Sequence, residues 1–289
     1  MKIPIKKLQN GFTMPVFGIG SWQMGGRHEQ DFTNDDKADI QAICNAIESG
    51  IIHIDTAERY ANGHAEELVG EAISNYKRDK LFLASKVWNT NLKYKDVLTA
   101  CSSSLKRLKT DYLDLYLVHL PNPDIPIQET MKAMSKLKKE SLIKNIGLSD
   151  FSVERFKEAQ DYCADKIVVN QLHYNLIFRE PERKGLVDFC RENDVFLVAW
   201  RPVQYGMLTD ASIPVMKEMC AKYHKTPSQI AINWLISQKN IVTISKMRKE
   251  DHLKENLGAV GWEMEVDDIE ILRCEYPGQK DVSDSVPLI

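Results

Sequence analysis

Three apolar runs, each ending in one reactive side chain, recur at nearly equal intervals, and this spacing constrains the fold more than any other feature. The runs read IIHIDTAERY from Ile51 to Tyr60, LFLASK from Leu81 to Lys86 and LDLYLVH from Leu113 to His119. Asp55, Lys86 and His119 are separated by 31 (86 − 55) and 33 (119 − 86) residues. A TIM barrel of roughly 250 residues carries eight strand–helix repeats, about 31 residues each. Each run therefore reads as a parallel strand whose carboxyl end presents one functional group. Tyr60 follows on the loop that leaves the first of these strands.

The rest of the chain fits that period. Strand-like runs fall at 16–20, 51–55, 81–86, 113–119, 143–148, 166–171, 195–200 and 240–245. Helical patterns lie between them at 36–49, 64–75, 95–108, 127–139, 152–162, 182–193 and 213–237, the last broken before Pro227. Two more follow the final strand, near 249–257 and 266–275. Alternation of this kind builds a parallel sheet from βα units. Asn10-Gly11 between two short runs suggests a small hairpin ahead of the barrel. The expectation is an α/β fold: a (β/α)8 TIM barrel with an N-terminal β-hairpin and an extra C-terminal helix, one domain over residues 1–289. Function in such a barrel lies on the loops at the carboxyl ends of its strands.

Composition narrows the class. With 289 residues and 43% hydrophobic content, the chain can bury a large core. A net charge of −3 gives no footprint for nucleic acid or an anionic membrane surface. The lysines between Lys132 and Lys139 are interrupted at helical spacing and read as a solvated face. Six cysteines are scattered without a Cys-x-x-Cys, which fits reduced, packed thiols in a cytoplasmic protein. No signal peptide and no membrane span are expected. A small molecule is thus the expected partner of a monomer or weak oligomer.

Asp55, Tyr60, Lys86 and His119 converge on one mouth if the barrel forms. A phenol with a pKa near ~10 is a poor acid at neutral pH unless perturbed. The Lys86 ammonium would favour the phenolate, and Asp55 would hold that ammonium in place. His119 can donate to an oxygen on which negative charge develops. His53 and Asp55, two apart on one strand, raise the alternative of a metal. Lys86 beside Asp55 opposes a cation there, so no metal is expected.

These residues resemble the aldo-keto reductase superfamily, whose pattern is Asp-Thr-Ala-x-x-Tyr, then Lys and His ending the next two strands. Further matches run through G18-I-G-S-W22, G63-H-A-E-E-L-V-G-E-A72, S104-L-K-R-L-K-T-D-Y-L-D-L-Y116, G147-L-S-D-F151, V169-N-Q171 and on to K254-E-N256, nearly the whole chain. The resemblance implies that Tyr60 gives the proton while a nicotinamide gives the hydride. It implies an extended cofactor across the barrel mouth, in keeping with the lack of a Gly-x-Gly-x-x-Gly fingerprint. Ser149 and Gln171 match carboxamide contacts, and Trp200 matches the residue that stacks on the nicotinamide ring. Arg201 is a candidate for the pyrophosphate, with simple solvent exposure as the rival. Lys246 matches a lysine on the 2′-phosphate, and Glu255 and Asn256 match adenine contacts. Met247 and His252 stand where the family has Ser and Arg; Arg248 is a candidate to replace the lost charge. NADP(H) is favoured, with NAD(H) possible. The implied reaction is reduction of an aldehyde or ketone; the alternative is a non-catalytic cofactor-binding redox sensor or partner subunit on the same fold.

A further departure stands beside the carboxamide contacts. Asp150 replaces the usual Asn, and an ionised carboxylate offers acceptors only. Ionised, it would favour the oxidised, positively charged cofactor; protonated, or turned away to cap the helix near Ser152, it would not. On the substrate side, Trp22 and Trp88 match aromatic wall positions, with His119 beside them. The tail after Pro277-Gly278 is short, which suggests an open pocket with little steric selection.

Overall fold

Short β-branched runs alternating with amphipathic ones have one closed arrangement in which every strand is paired and every helix buries its apolar face. A computed structural model describes residues 2–288; Met1 and Ile289, the ends of the expected 1–289 domain, lie outside the described residues. The chain opens with an antiparallel pair, β1 (Ile5–Lys7) and β2 (Thr13–Pro15). The barrel strands follow: β3 (Phe17–Gly20), β4 (His53–Asp55), β5 (Phe82–Val87), β6 (Leu115–Val118), β7 (Ile146–Ser149), β8 (Ile167–His173), β9 (Phe196–Trp200) and β10 (Ile241–Ser245). Each pairs in parallel with the next, and β10 returns to β3 to close the barrel. All eight expected strands form. The run at 113 starts pairing late, because Leu113 meets Ile143 only in an isolated bridge.

Eleven α-helices occur among the described residues, all of them after β3: α1 (Asp36–Glu48), α2 (His64–Ile73), α3 (Tyr94–Arg107), α4 (Ile127–Lys139), α5 (Val153–Asp161), α6 (Glu180–Arg183), α7 (Leu186–Glu192), α8 (Pro214–Tyr223), α9 (Pro227–Ile236), α10 (Glu250–Leu257) and α11 (Val266–Glu275). The helix expected at 182–193 is two pieces, because Gly185 takes φ 71° between α6 and α7. The expected break before Pro227 is present: His224 turns left-handed at φ 54°, and Thr226 with Gln229 forms a capping box on α9.

Two apolar cores result. One lies between the sheet and the helices, and includes Ile54, Leu83, Val118, Leu148 and Trp234. The other fills the barrel, where Ala84, Leu115, Leu117, Val169, Phe196 and Val242 meet Leu8, Phe12 and Met14 from the hairpin. Phe12 packs its ring 6.1 Å from Phe82 and 5.9 Å from Phe196. The hairpin therefore plugs the amino end of the barrel. Lys6 fixes it there, donating from Nζ to the carbonyls of Ile236, Gln238 and Ile241 at 2.6, 2.5 and 2.7 Å. With that end filled, the cavity opens at the carboxyl ends of the strands. Among the described residues no helix is long and apolar enough to cross a membrane.

Candidate active site

Strand ends supply the site. Asp55 closes β4, Lys86 stands one residue before the end of β5, and His119 follows β6 directly. Ser149 closes β7, Gln171 lies in β8, Trp200 closes β9 and Ser245 closes β10. Period-two alternation turns these side chains toward the barrel axis, while their neighbours face the helices. All but Lys86, which lies buried beneath it, line one cavity of about 700 Å³ together with Tyr60 and Asp150.

At its floor lies a buried ion pair. Lys86 Nζ donates to Asp55 Oδ1 at 2.6 Å, to the Thr56 carbonyl at 2.8 Å and to the Tyr60 hydroxyl at 3.3 Å. The two charged side chains are 0% and 2% exposed, so neither can exchange its partner for water. Burial works against the Lys86 ammonium, but Asp55 and then Tyr60 outweigh it, and the lysine holds its proton more firmly than usual. Gln171 Nε2 donates to the other Asp55 oxygen at 2.9 Å. Asp55 thus has a cation on one oxygen and an amide on the other. The Gln171 amide oxygen stays available to a ligand.

Tyr60 sits at the turn out of β4. Ala61, Asn62 and Gly63 after it all take positive φ, 49°, 55° and 93°. Such a run is costly for non-glycine residues and reverses the chain sharply. It places the phenol over Lys86 before α2 begins. Burial raises the Tyr60 pKa above the ordinary value, and Lys86 offsets only part of that rise. This corrects the expectation of a lowered value: desolvation of the phenolate exceeds the attraction of one ammonium already paired with Asp55. Tyr60 is consequently a protonated phenol at neutral pH. Its hydroxyl accepts from Lys86, and its own proton has no acceptor among the described residues.

His119 is neutral. Burial, Lys86 and Arg59 all push its pKa well below the ordinary range. Its Nδ1 is sealed without a partner, which leaves Nε2 as the nitrogen able to face a ligand. Aromatic edges wall this half of the cavity. Trp22 meets Tyr60 at 4.9 Å, Tyr60 meets His119 at 5.6 Å, and Trp88 meets His119 at 5.1 Å between ring centres. Both expected tryptophans therefore line the cavity. His53, the other half of the His-x-Asp pair, is buried below against Phe82, with no partner on either ring nitrogen. No group of three or more metal-ligating side chains forms among the described residues.

The opposite half of the cavity is long and polar. Trp200 is the outer ring of a three-ring stack, 4.2 Å from His173, which in turn lies 4.4 Å from Phe178. Asp150 takes φ 58° and is buried. Ser149 Oγ donates to Asp150 Oδ2 at 3.0 Å, while Oδ1 is sealed with no partner. Burial raises the Asp150 pKa to about 7, against the Ser149 hydrogen bond. It does not cap the following helix; Ser152 does, accepting from the Arg155 N–H. Lys246, His252, Glu255 and Asn256 line the far end. Lys246 donates to Gln23 Oε1 at 2.5 Å and has no carboxylate partner among the described residues.

Two expected contacts are placed differently. Arg248 is not on the cavity wall; its Nε pairs with buried Asp39 at 2.5 Å, and Nη2 donates to Asn34 Oδ1 at 3.0 Å. Arg201 lines the cavity but reaches Asp284 at 3.2 Å and Ser285 at 3.4 Å. Those partners belong to the tail, which reaches the cavity wall despite its shortness. Glu180 accepts from the Ser283 and Leu288 N–H groups at 2.9 and 3.1 Å, so the tail folds back and Ser285 and Val286 join the wall. Sequence reasoning also missed Arg59, Ser228 and the loop with Tyr205 and Gly206. Arg59 had a signal, being next to Tyr60; the others are brought in only by closure of the barrel.

This geometry can be set beside known proteins. The sequence pattern described as the Aldo/keto reductase family matches residues 16–275. Glyoxal reductase of Bacillus subtilis is 36% identical over 266 residues, covering 91% of this chain and 90% of that protein. A crystal structure of a thermostable aldo-keto reductase with the inhibitor epalrestat superimposes at a TM-score of 0.90 and 39% identity, covering 94% of this chain and 99% of that one. An aldo/keto reductase from Klebsiella pneumoniae, crystallised with NADP and acetate, gives a TM-score of 0.83 at 29% identity, covering 100% of each. The chain belongs to the aldo/keto reductase family. It is an oxidoreductase that reduces aldehyde or ketone carbonyls, with NADPH as the favoured cofactor.

The residues present fit that cofactor. The sealed Asp150 oxygen beside Ser149 and Gln171 suits an amide, and the uncompensated Lys246 charge suits a phosphate. Lys246→Ala should weaken NADPH by about 10- to 100-fold, the range of a lost charge-assisted hydrogen bond, and NADH by far less. Fluorescence titration of both cofactors checks this; equal losses would place the 2′-phosphate elsewhere. Asp150 gives a second expectation. It is neutral below about pH 7 and charged above. Affinity for NADP⁺ relative to NADPH should therefore rise as pH increases through that value in the native protein and stay flat in Asp150→Asn. A ratio with the same pH dependence in both proteins would contradict it.

Proposed function

We propose that Tyr60 is the proton donor in carbonyl reduction, held by the Asp55–Lys86 pair, with His119 orienting the substrate oxygen. The observation that carries this is the Tyr60 hydroxyl, which accepts from the Lys86 ammonium and keeps its own proton unengaged. A nicotinamide bound there would supply hydride to the carbonyl carbon. The charge that builds on the carbonyl oxygen is met by the Tyr60 proton and by the neutral His119 N–H. Lys86 then stabilises the phenolate left on Tyr60, and Asp55 keeps Lys86 charged. Trp22 and Trp88 close the apolar side and exclude water, which strengthens each of these electrostatic contacts. In the other half, Ser149, Asp150 and Gln171 are proposed to take the carboxamide and Trp200 the ring. Lys246 is proposed for the 2′-phosphate, with His252, Glu255 and Asn256 around the adenosine. Arg201 reaches the pyrophosphate in this reading only by leaving Asp284.

Small aldehydes and ketones are the substrate class, in a single domain that spans the chain. A cytoplasmic, monomeric or weakly associating protein without a nucleic-acid partner completes the reading. It is supported by cysteines that are all free among the described residues and by a net charge of −3. Nothing in the site favours the cofactor sensor, which has no use for an unengaged phenol proton.

Tyr60→Phe should bind NADPH nearly as the native protein does and lose carbonyl reduction by at least about 10²- to 10⁴-fold. Lys86→Met should also be slow, and its residual activity should keep to higher pH, because the group that lowers the Tyr60 pKa is gone. NADPH oxidation with a panel of small aldehydes, followed by absorbance across pH, reads both. Full activity in Tyr60→Phe would remove the phenol from the mechanism.

A further inference from the structure

The residue before the proton donor is an arginine, and its surroundings do not satisfy it. Arg59 lines the main cavity and also a side cavity of about 340 Å³, where it meets Asn62, Thr90, Asn91 and Arg107. Its Nε is sealed from water with no hydrogen-bond partner. Nη1 donates to the His28 carbonyl at 3.2 Å, and the nearest carboxylate, Glu29 at 3.6 Å, is 74% exposed. The side chain itself is 29% exposed. Glu58, the acid on the side-cavity wall, is already engaged by the Trp88 N–H at 2.6 Å and the Asn91 amide at 3.0 Å. Arg107 is held by buried Glu66. Among the described residues Arg59 thus has one ion-pair partner, Glu29, and that partner is largely solvent-exposed and screened.

Its position relative to the chemistry is defined. The guanidinium carbon lies 5.5 Å from the centre of the Trp88 ring, and that ring lies 5.1 Å from His119. A single indole separates the group that would hold the carbonyl oxygen from this cation. Arg59 also helps keep His119 neutral, so its field reaches the reacting end. The other walls here, Trp22, Tyr60 and Trp88, are aromatic and offer an anion no competing negative charge.

We infer that the site selects carbonyl compounds that carry an anionic group, a carboxylate or a phosphate, a few bonds from the carbonyl, with Arg59 as its partner. The inference rests on the carbonyl-reductase assignment and adds the substrate class. An anion seated on Arg59 would give the guanidinium charge-assisted, geometrically matched hydrogen bonds and hold the carbonyl at Tyr60 and His119.

Two matched pairs test it with NADPH and the full chain: succinic semialdehyde against butanal, and glyceraldehyde 3-phosphate against glyceraldehyde. The native protein should favour the anionic member of at least one pair in kcat/KM by about 10-fold or more, the scale of one charge-assisted bond. Which pair shows the larger preference identifies carboxylate or phosphate. Arg59→Leu should collapse that ratio by about 10- to 100-fold, Arg59→Lys should keep part of it, and added salt should reduce it in the native protein and Arg59→Lys but not in Arg59→Leu. Equal losses on anionic and neutral members in Arg59→Leu would assign Arg59 to bracing the His28 loop and overturn the inference. So would reduction of the neutral members with no preference in the native protein, which leaves carbonyl reduction standing. No NADPH oxidation with any of the four would overturn both.

Discussion

The ion pair between Asp55 and Lys86 is the interaction on which the site depends. A charge taken out of water is costly unless its partner is close and its remaining hydrogen bonds are met. Both conditions hold: Lys86 reaches Asp55, the Thr56 carbonyl and Tyr60, and Asp55 receives Gln171 on its second oxygen. Removing either partner would leave the other stranded, at a cost of about 3–5 kcal/mol. The pair joins β4 to β5 and, through Gln171, crosses the barrel to β8. It therefore braces the mouth and positions the phenol at once.

Burial has opposite consequences for the groups around that pair, and the differences set their roles. Tyr60 keeps its proton, His119 stays neutral and Lys86 stays charged. A donor phenol, a neutral imidazole and an ammonium are a consistent set for protonating an oxygen that becomes anionic. Asp150 is pushed to about 7, the middle of its two protonation states at neutral pH. In its protonated form it offers a donor and an acceptor as an amide would; in its ionised form it offers a charge beside the ring site. At the rim, the tail and Arg201 are linked through Asp284, so the site has a wall that the barrel strands do not provide.

Much of this was legible in the sequence because a barrel repeats on a nearly fixed period. The spacing of Asp55, Lys86 and His119 located three strands and their functional ends, and all eight expected strands formed. What escaped the sequence was the outcome of competing interactions. Proximity of Lys86 to Tyr60 argued for a lowered phenol pKa, but the extent of burial, which decides the sign, is a property of the closed fold. Arg248 looked like a phosphate ligand by its place after Lys246, yet buried Asp39, 209 positions earlier (248 − 39), claims it. The tail looked too short to wall the pocket, and Glu180 anchors it so that Ser285 and Val286 join the lining. Each of these depends on contacts between segments far apart in the chain.

The central claim is that Asp55 acts by keeping Lys86 charged beneath Tyr60. The most direct measurement is the pH–rate profile of Asp55→Asn with NADPH and a small aldehyde. Asn keeps the size of the side chain and removes its charge, so the buried ammonium loses the partner that holds its proton. Activity should be reduced and should fall off at a lower pH than in the native protein, as Lys86 deprotonates. A variant with the native profile and rate would contradict the claim, because the phenol would then work without the charge beneath it.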